Sequence, residues 1–483
     1  MKKYIFLIFI TTIIMLVAYG SFFKFHLVGD AYRIIDSSND FIINLKCNEG
    51  RLLQVLYFTI INILNISINS LHIYITLYRI NLLIGIFLLV ACVILTFKMI
   101  INNMKETTKP KEIIVFICTL LIFVNVAVSE YMLYIENFIM VLGLLFAVIA
   151  AYLYHKNIKF KYGWISILIV LSSFCYQGCA QIFVVLATLV LFVRKPNCKQ
   201  KYYIKELIKI ILLYYGSLFI NYMVCWWLNS ILPRIDPRIF TGIKQSLKSI
   251  VSAENISLVV GYLIIVYSIF VCNFTMFKSS QIKDNLLKIL YLALVSIMSI
   301  EIFYFNNSVG LLIRTMLNFI ITYPILSIYI TNIQKSHKYW YNGTLALIIL
   351  LINVLMLINF QLLSADSTSK NIDFVNSVVK KIEEYEAENN IIIENVAFYY
   401  DKTLSQYWNT KDILCYPYTV PILYGYWCDI YSINFFSGRK YNRISYSQIE
   451  PNIKEYFENN DWHIPNVEEQ IVFKDSTAYI CCF

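Results

Sequence analysis

Asp30, Arg33, Asp36, Asp40, Glu49 and Arg51 fall within one polar stretch, KFHLVGDAYRIIDSSNDFIINLKCNEGR, running from Lys24 to Arg51. A carboxylate in such a stretch can take the proton of a hydroxyl as its oxygen attacks, and planar guanidinium forks match the oxygens of a phosphate. Asp30 is the first choice for such a base, with Arg33 to orient it and Arg51 to hold an anion. Further along, Glu130 and Glu136 share a short polar turn, Glu301 interrupts the apolar run IMSIEIFYF, and Arg314 heads another apolar run. The plainer alternatives are a solvated loop carboxylate for Asp30, an interfacial anchor for Arg51, a wet turn for Glu130 and Glu136, and an ion pair or lipid contact for Arg314. No GxGxxG, P-loop, HExxH or GxSxG pattern occurs, so nucleotide cofactors and zinc hydrolysis have no support. The sequence requires no cofactor and leaves dependence on a divalent metal open.

The elements that must position these groups are membrane helices. The chain of 483 residues is 59% hydrophobic and only 14% charged, with a mean hydropathy of +0.64; a soluble domain carries about 25% charged residues. The net charge of +10 sits in short loops between apolar runs. That is an orientation signal rather than a nucleic-acid-binding face, so no nucleic-acid partner is expected. Most of the 12 cysteines lie inside apolar runs, among them Cys92, Cys118, Cys225 and Cys272, and read as small buried hydrophobes. In the tail, Cys415, Cys428, Cys481 and Cys482 would face an oxidising compartment.

Apolar length and flanking lysines place spans near 4–23, 71–97, 112–128, 137–154, 206–226, 257–277, 285–304, 313–331 and 344–363. The N-terminus reads as an uncleaved signal-anchor with a cytoplasmic start, which puts Asp30 and the first loop, 24–70, outside. The stretch 162–193 would be about 48 Å long as one helix, against a hydrocarbon core of about 30 Å. One crossing would also put Arg194, Lys195, Lys199, Lys201, Lys205 and Lys209 outside. A hairpin, either re-entrant or of two short helices meeting near Tyr176-Gln177-Gly178, keeps them inside. The segment between Asn229 and Asn255 is expected along the membrane surface. The fold class is therefore an all-α polytopic membrane protein of about nine spans plus the hairpin, or eleven spans if the hairpin counts as two. It comprises a membrane domain, 1–363, and an external α/β domain, 364–483. In the tail, Phe374, Val375, Val378, Val379, Ile382 and Tyr385 recur at helical spacing, whereas VAFYY and the closing QIVF and AYICCF alternate like strands. Trp408, Tyr424 and Trp427 could stack on a sugar there.

The order of features resembles the bacterial O-antigen glucosyltransferases of the glucosyl transferase II type. The resemblance rests on Asp30 to Arg33 as an Asp-x-x-Arg element, Gly50-Arg51-Leu52-Leu53 opening a half-apolar helix, Tyr176-Gln177 in a short hairpin, Arg314 at the head of a late span, and the external tail. The usual paired aspartates are absent, because Ala31 follows Asp30; Asp36, Asp40, Glu49 or Glu130 could supply the second acid. The resemblance implies a GT-C-like enzyme of the bacterial inner membrane. It would move a hexose, with glucose the expected one, from a polyprenyl-phosphate donor onto a lipid-linked or surface glycan outside the membrane. Asp30 would be the base and the configuration would invert; Arg51, Arg314, Tyr176 and Gln177 would hold substrate. The other readings are a lipid-linked glycan flippase or transporter and a polysaccharide polymerase.

Overall fold

The computed structural model describes residues 2–24, 27, 29–37, 39–66, 68, 70–104, 106–194, 200–229, 288, 317–333, 339–400, 428–460, 462 and 466–482. Among them, six helices are long and apolar enough to cross a membrane: α1 (Lys2–Tyr19, extended by a 3-10 turn at Gly20–Phe23), α5 (Leu71–Ile101), α8 (Asn137–Tyr154), α10 (Gln177–Arg194), α11 (Gln200–Asn229) and α14 (Tyr339–Asn389). Between α1 and α5 lie α2 (Gly29–Asp36), α3 (Asn39–Asn48) and α4 (Leu52–Ile63), so the polar stretch is largely helical. The remaining helices of the bundle are α6 (Lys109–Phe123), α7 (Val126–Tyr131), α9 (Lys161–Cys175), α12 (Leu317–Ile320) and α13 (Thr322–Ile333). The spans expected near 257–277 and 285–304, and the segment 229–255, lie outside the described residues.

One expectation changes. The span expected at 112–128 is broken at Val124–Asn125, where Asn125 caps the next helix: its Oδ1 accepts from the N–H groups of Ala127 and Val128 at 3.0 and 3.1 Å. Its Nδ2 donates back to the Ile122 carbonyl at 2.9 Å, so one side chain serves both helix ends. The domain boundary expected at 363 falls within one continuous helix. No Gly or Pro occurs from 344 to 400, and α14 runs for 51 residues, about 76 Å. Its first half is apolar, and its second half buries Val375, Val378 and Ile382 in the core of the C-terminal domain. The helix ends at Asn389, with Asn390 in the left-handed region at φ 53°.

The C-terminal domain holds a four-stranded sheet of order β2-β1-β4-β3, from β1 (Asn395–Tyr400), β2 (Asn442–Ile444), β3 (Ile471–Lys474) and β4 (Thr477–Cys482). Both neighbours of β1 run parallel to it, and β3–β4 is an antiparallel hairpin. The helices α15 (Asp429–Ser437), α16 (Pro451–Asn459) and α17 (Val467–Gln470) complete the domain. Phe436 of α15 touches both this core and that of the bundle.

In the bundle, α8 and α9 approach closely because Gly143 has no side chain. A Cβ there would lie 2.9 Å from that of Cys175, and Ser172 Oγ donates to the Gly143 carbonyl at 2.7 Å.

Candidate functional site

The geometry begins at the end of α3. Gly50, at φ 73°, reverses the chain: its N–H reaches the Cys47 carbonyl at 3.0 Å, and that of Arg51 reaches the Lys46 carbonyl at 3.0 Å. This pair of bonds needs a left-handed residue at its centre. A side chain would also crowd Gln177, since a Cβ would lie 3.0 Å from its Nε2 and the amide would have to shift. The turn therefore delivers Lys46, Glu49 and Arg51 to one place.

What they meet is the tip of the α9–α10 hairpin. α9 stops at Cys175, Tyr176 is extended, and α10 starts at Gln177. The far ends return to one level: Lys161 Nζ donates to the Tyr154 carbonyl at 3.2 Å, and Arg194 Nη1 to the neighbouring His155 carbonyl at 2.9 Å. At the tip, Arg51 pairs with Glu49 at 2.9 Å and lies over the Tyr176 ring at 4.9 Å. Gln177 Nε2 donates to the Glu49 carbonyl at 2.7 Å, and Gln54 Nε2 to the Cys175 carbonyl at 2.9 Å. The ring of Tyr176 stands edge-on to Tyr131 at 5.5 Å.

Behind this surface, Lys46 Nζ and Glu136 Oε1 form an ion pair at 2.7 Å with side-chain exposures of 7% and 0%. Glu49 Oε2 lies 3.8 Å from the same ammonium. Glu136 Oε2 has no hydrogen-bond partner among the described residues, so the contact with Lys46 is what offsets the burial of this side chain. Removing one member of such a pair strands the other at a cost of about 3–5 kcal/mol. The arrangement fixes Arg51 in one orientation at the end of an apolar bundle, which suits recognition of a phosphate attached to a lipid.

The structure thus brings Glu49, Arg51, Tyr176 and Gln177 together. Asp30, Arg33 and Asp36 lie on α2, which packs against α15 of the C-terminal domain. There Tyr32 contacts the rings of Phe435 and Phe436 at 6.4 and 5.9 Å, and Asn434 Nδ2 donates to Asp36 Oδ2 at 3.2 Å. The side chains of Asp30 and Asp40 are not among those described. Glu130 is buried on α7, which does not suit it to meet a substrate hydroxyl in this conformation. Arg314 and Glu301, with Trp408, Cys415, Tyr424 and Trp427, lie outside the described residues.

The helix that receives α2 is itself anchored. Asp429, fully buried at the start of α15, accepts from the Tyr400 hydroxyl and, at 2.7 Å, from Arg443 Nη2. Burial pushes its carboxyl above the usual range against the opposing pull of those two donors.

Sequence reasoning passed over Lys46, Gln54 and Asn434. Lys46 carried a usable signal, as the only Lys or Arg between Arg33 and Arg51; Asn434 carried none. Among the described residues, no three His, Cys, Asp or Glu side chains cluster to hold a metal ion. Comparison of the chain with protein-family models, with curated proteins and with solved structures found no match.

Proposed function

We propose that this chain is a membrane-embedded glycosyltransferase that takes a hexose from a polyprenyl-phosphate donor and places it on a glycan at the extracytoplasmic face of a bacterial inner membrane. The observation that carries this reading is the fixed guanidinium of Arg51, braced by Glu49 and Tyr176 where an apolar bundle ends. A lipid-borne phosphate offers the matching pair of features, an anionic head on an apolar tail.

In the proposed reaction the acceptor hydroxyl attacks the anomeric carbon, and its proton passes to the carboxylate of Asp30. The bond from that carbon to the phosphate oxygen breaks, and polyprenyl phosphate leaves with the bonding pair. Arg51, with Arg314, stabilises the charge gained by the phosphate. A single displacement inverts the anomeric centre. Glu49 orients Arg51 rather than accepting the proton, since its carboxylate is already engaged by the guanidinium.

The test is transfer of labelled hexose in proteoliposomes supplied with polyprenyl-phosphate glucose and a lipid-linked glycan. Asp30→Asn should insert normally and lose about 10²–10⁴-fold in rate. Full activity in that variant would remove Asp30 from the chemistry. A wild-type protein that forms no covalent product but moves lipid-linked glycan across the bilayer is a transporter, and one that lengthens the glycan by whole repeats is a polymerase.

A further inference from the structure

The other end of the hairpin has a different character. From residue 137 to 205 there is no Asp or Glu, while Lys156, Lys159, Lys161, Arg194, Lys195, Lys199, Lys201 and Lys205 all fall in that stretch. Lys156, Lys159, Lys201 and Lys205 are exposed. The first acid to follow, Glu206, is committed to Lys209 at 2.5 Å and to the Tyr154 hydroxyl at 2.8 Å. It also ties the start of α11 to the α8–α9 turn, so lysines from both segments share one surface.

Aromatic rings lie among these charges. Phe160 is 76% exposed, Trp164 54% and Tyr162 45%. One or two turns further along the same helices, Ile167 of α9 and Ile208 and Leu212 of α11 are exposed apolar residues. The surface therefore grades from lysine through aromatic to aliphatic, the order of headgroup, interface and acyl chain in a lipid leaflet.

We propose that this end binds an anionic phospholipid, with its phosphate among Lys156, Lys159, Lys161, Lys201 and Lys205 and its acyl chains along Ile167, Ile208 and Leu212. Charge complementarity selects the anion, and the apolar stripe directly beneath selects a lipid over a free phosphate. A nucleic acid or an acidic peptide would use the lysines and leave that stripe uncovered. The site is independent of the sugar-transfer reading.

Native mass spectrometry of the full chain, titrated with phosphatidylglycerol or phosphatidylcholine, tests it. Wild type should prefer phosphatidylglycerol by about tenfold or more, and the preference should fade at high salt. The triple variant Lys156→Gln, Lys159→Gln, Lys161→Gln should lose most of the preference. The corresponding triple change to Arg should keep it, as should Lys380→Gln on the distant half of α14. Equal binding of the two lipids, a salt-independent preference, a preference surviving in the Gln triple, or full displacement by inorganic phosphate would each overturn the proposal. Should the Gln triple fail to fold, the salt titration of the wild type decides.

Discussion

The two ends of the α9–α10 hairpin are separated by helices of 15 and 18 residues, about 22–27 Å, and they treat charge in opposite ways. At the tip, Lys46 and Arg51 each face a carboxylate, and one of the two pairs is sealed inside the protein. At the base, the lysines of the α8–α9 turn have no acid within their own stretch of chain, and their partners are rings and a carbonyl. A charge enclosed by helices must carry its counter-ion with it, because the interior does not solvate it. A charge that reaches the edge of the bundle can leave that task to water and lipid phosphates.

The sharpest way to break this contrast is to remove one lysine from each end. Lys46→Met should destabilise the protein by about 3–5 kcal/mol by stranding Glu136. Lys161→Met should cost under about 1 kcal/mol, since among the described residues Lys161 makes no ion pair within 4 Å and only a longer-range attraction to Glu206 is lost. Denaturation in a neutral detergent measures both, and equal losses would abolish the distinction. Adding Glu136→Gln to Lys46→Met should restore much of the larger loss.

Gly50→Ala comes next, at about 1–2 kcal/mol for the left-handed turn, with Gln177 displaced as well. If the tip is one unit, this change should also disturb the Arg51–Tyr176 contact, read as altered Tyr fluorescence.

Asn434→Asp asks whether the C-terminal domain belongs to the ordered end. It places a carboxylate against Asp36 and removes the donor, costing about 1 kcal/mol or more at that contact. Amide exchange over residues 29–36 should accelerate. Pairing it with Asp36→Asn reverses the polarity of the bond, while the introduced carboxylate can still accept from the Tyr441 N–H as the Asn434 Oδ1 does, so exchange should return towards wild type. Unchanged exchange in the single variant would detach α2 from this domain.

The smallest effect belongs to an exposed pair, Arg439 with Glu386 at 2.7 Å. Burial raises the Glu386 carboxyl, but hydrogen bonds from Arg439 and the Ile393 N–H outweigh it and hold the group below its usual value. Its contribution is therefore complete above about pH 4.5, the unfolded range for a glutamate, and is lost as pH falls through the lowered folded value. The stability difference between wild type and Glu386→Gln should be about 0.5–1 kcal/mol at neutral pH and vanish in acid. A difference that persists in acid would assign it to packing instead.

Much of the architecture is legible in local pattern. Period and length mark α1, α5 and α8, because a helix that must satisfy its own backbone in hydrocarbon announces itself as an unbroken apolar run. The apolar residues of 374–385 and the alternation of 471–482 mark the helix and hairpin of the tail for the same local reason. The break at Asn125 is less legible, since an asparagine within an apolar run reads as a tolerated polar residue until its Oδ1 is seen capping α7.

At the site, residue types were readable but partners were not. Glu49 and Arg51 stand out by kind and spacing; that they rest on Tyr176 and Gln177, more than a hundred positions away, depends on how three segments stack at one end of the bundle. Lys46 and Glu136 show the same division. Composition alone makes this chain a membrane protein, because the free energy of burying apolar area is roughly additive over residues. Pairing is not additive: whether a charge is solvated, snorkelling or sealed against an opposite charge follows from which helices close around it, and the folded packing alone specifies that.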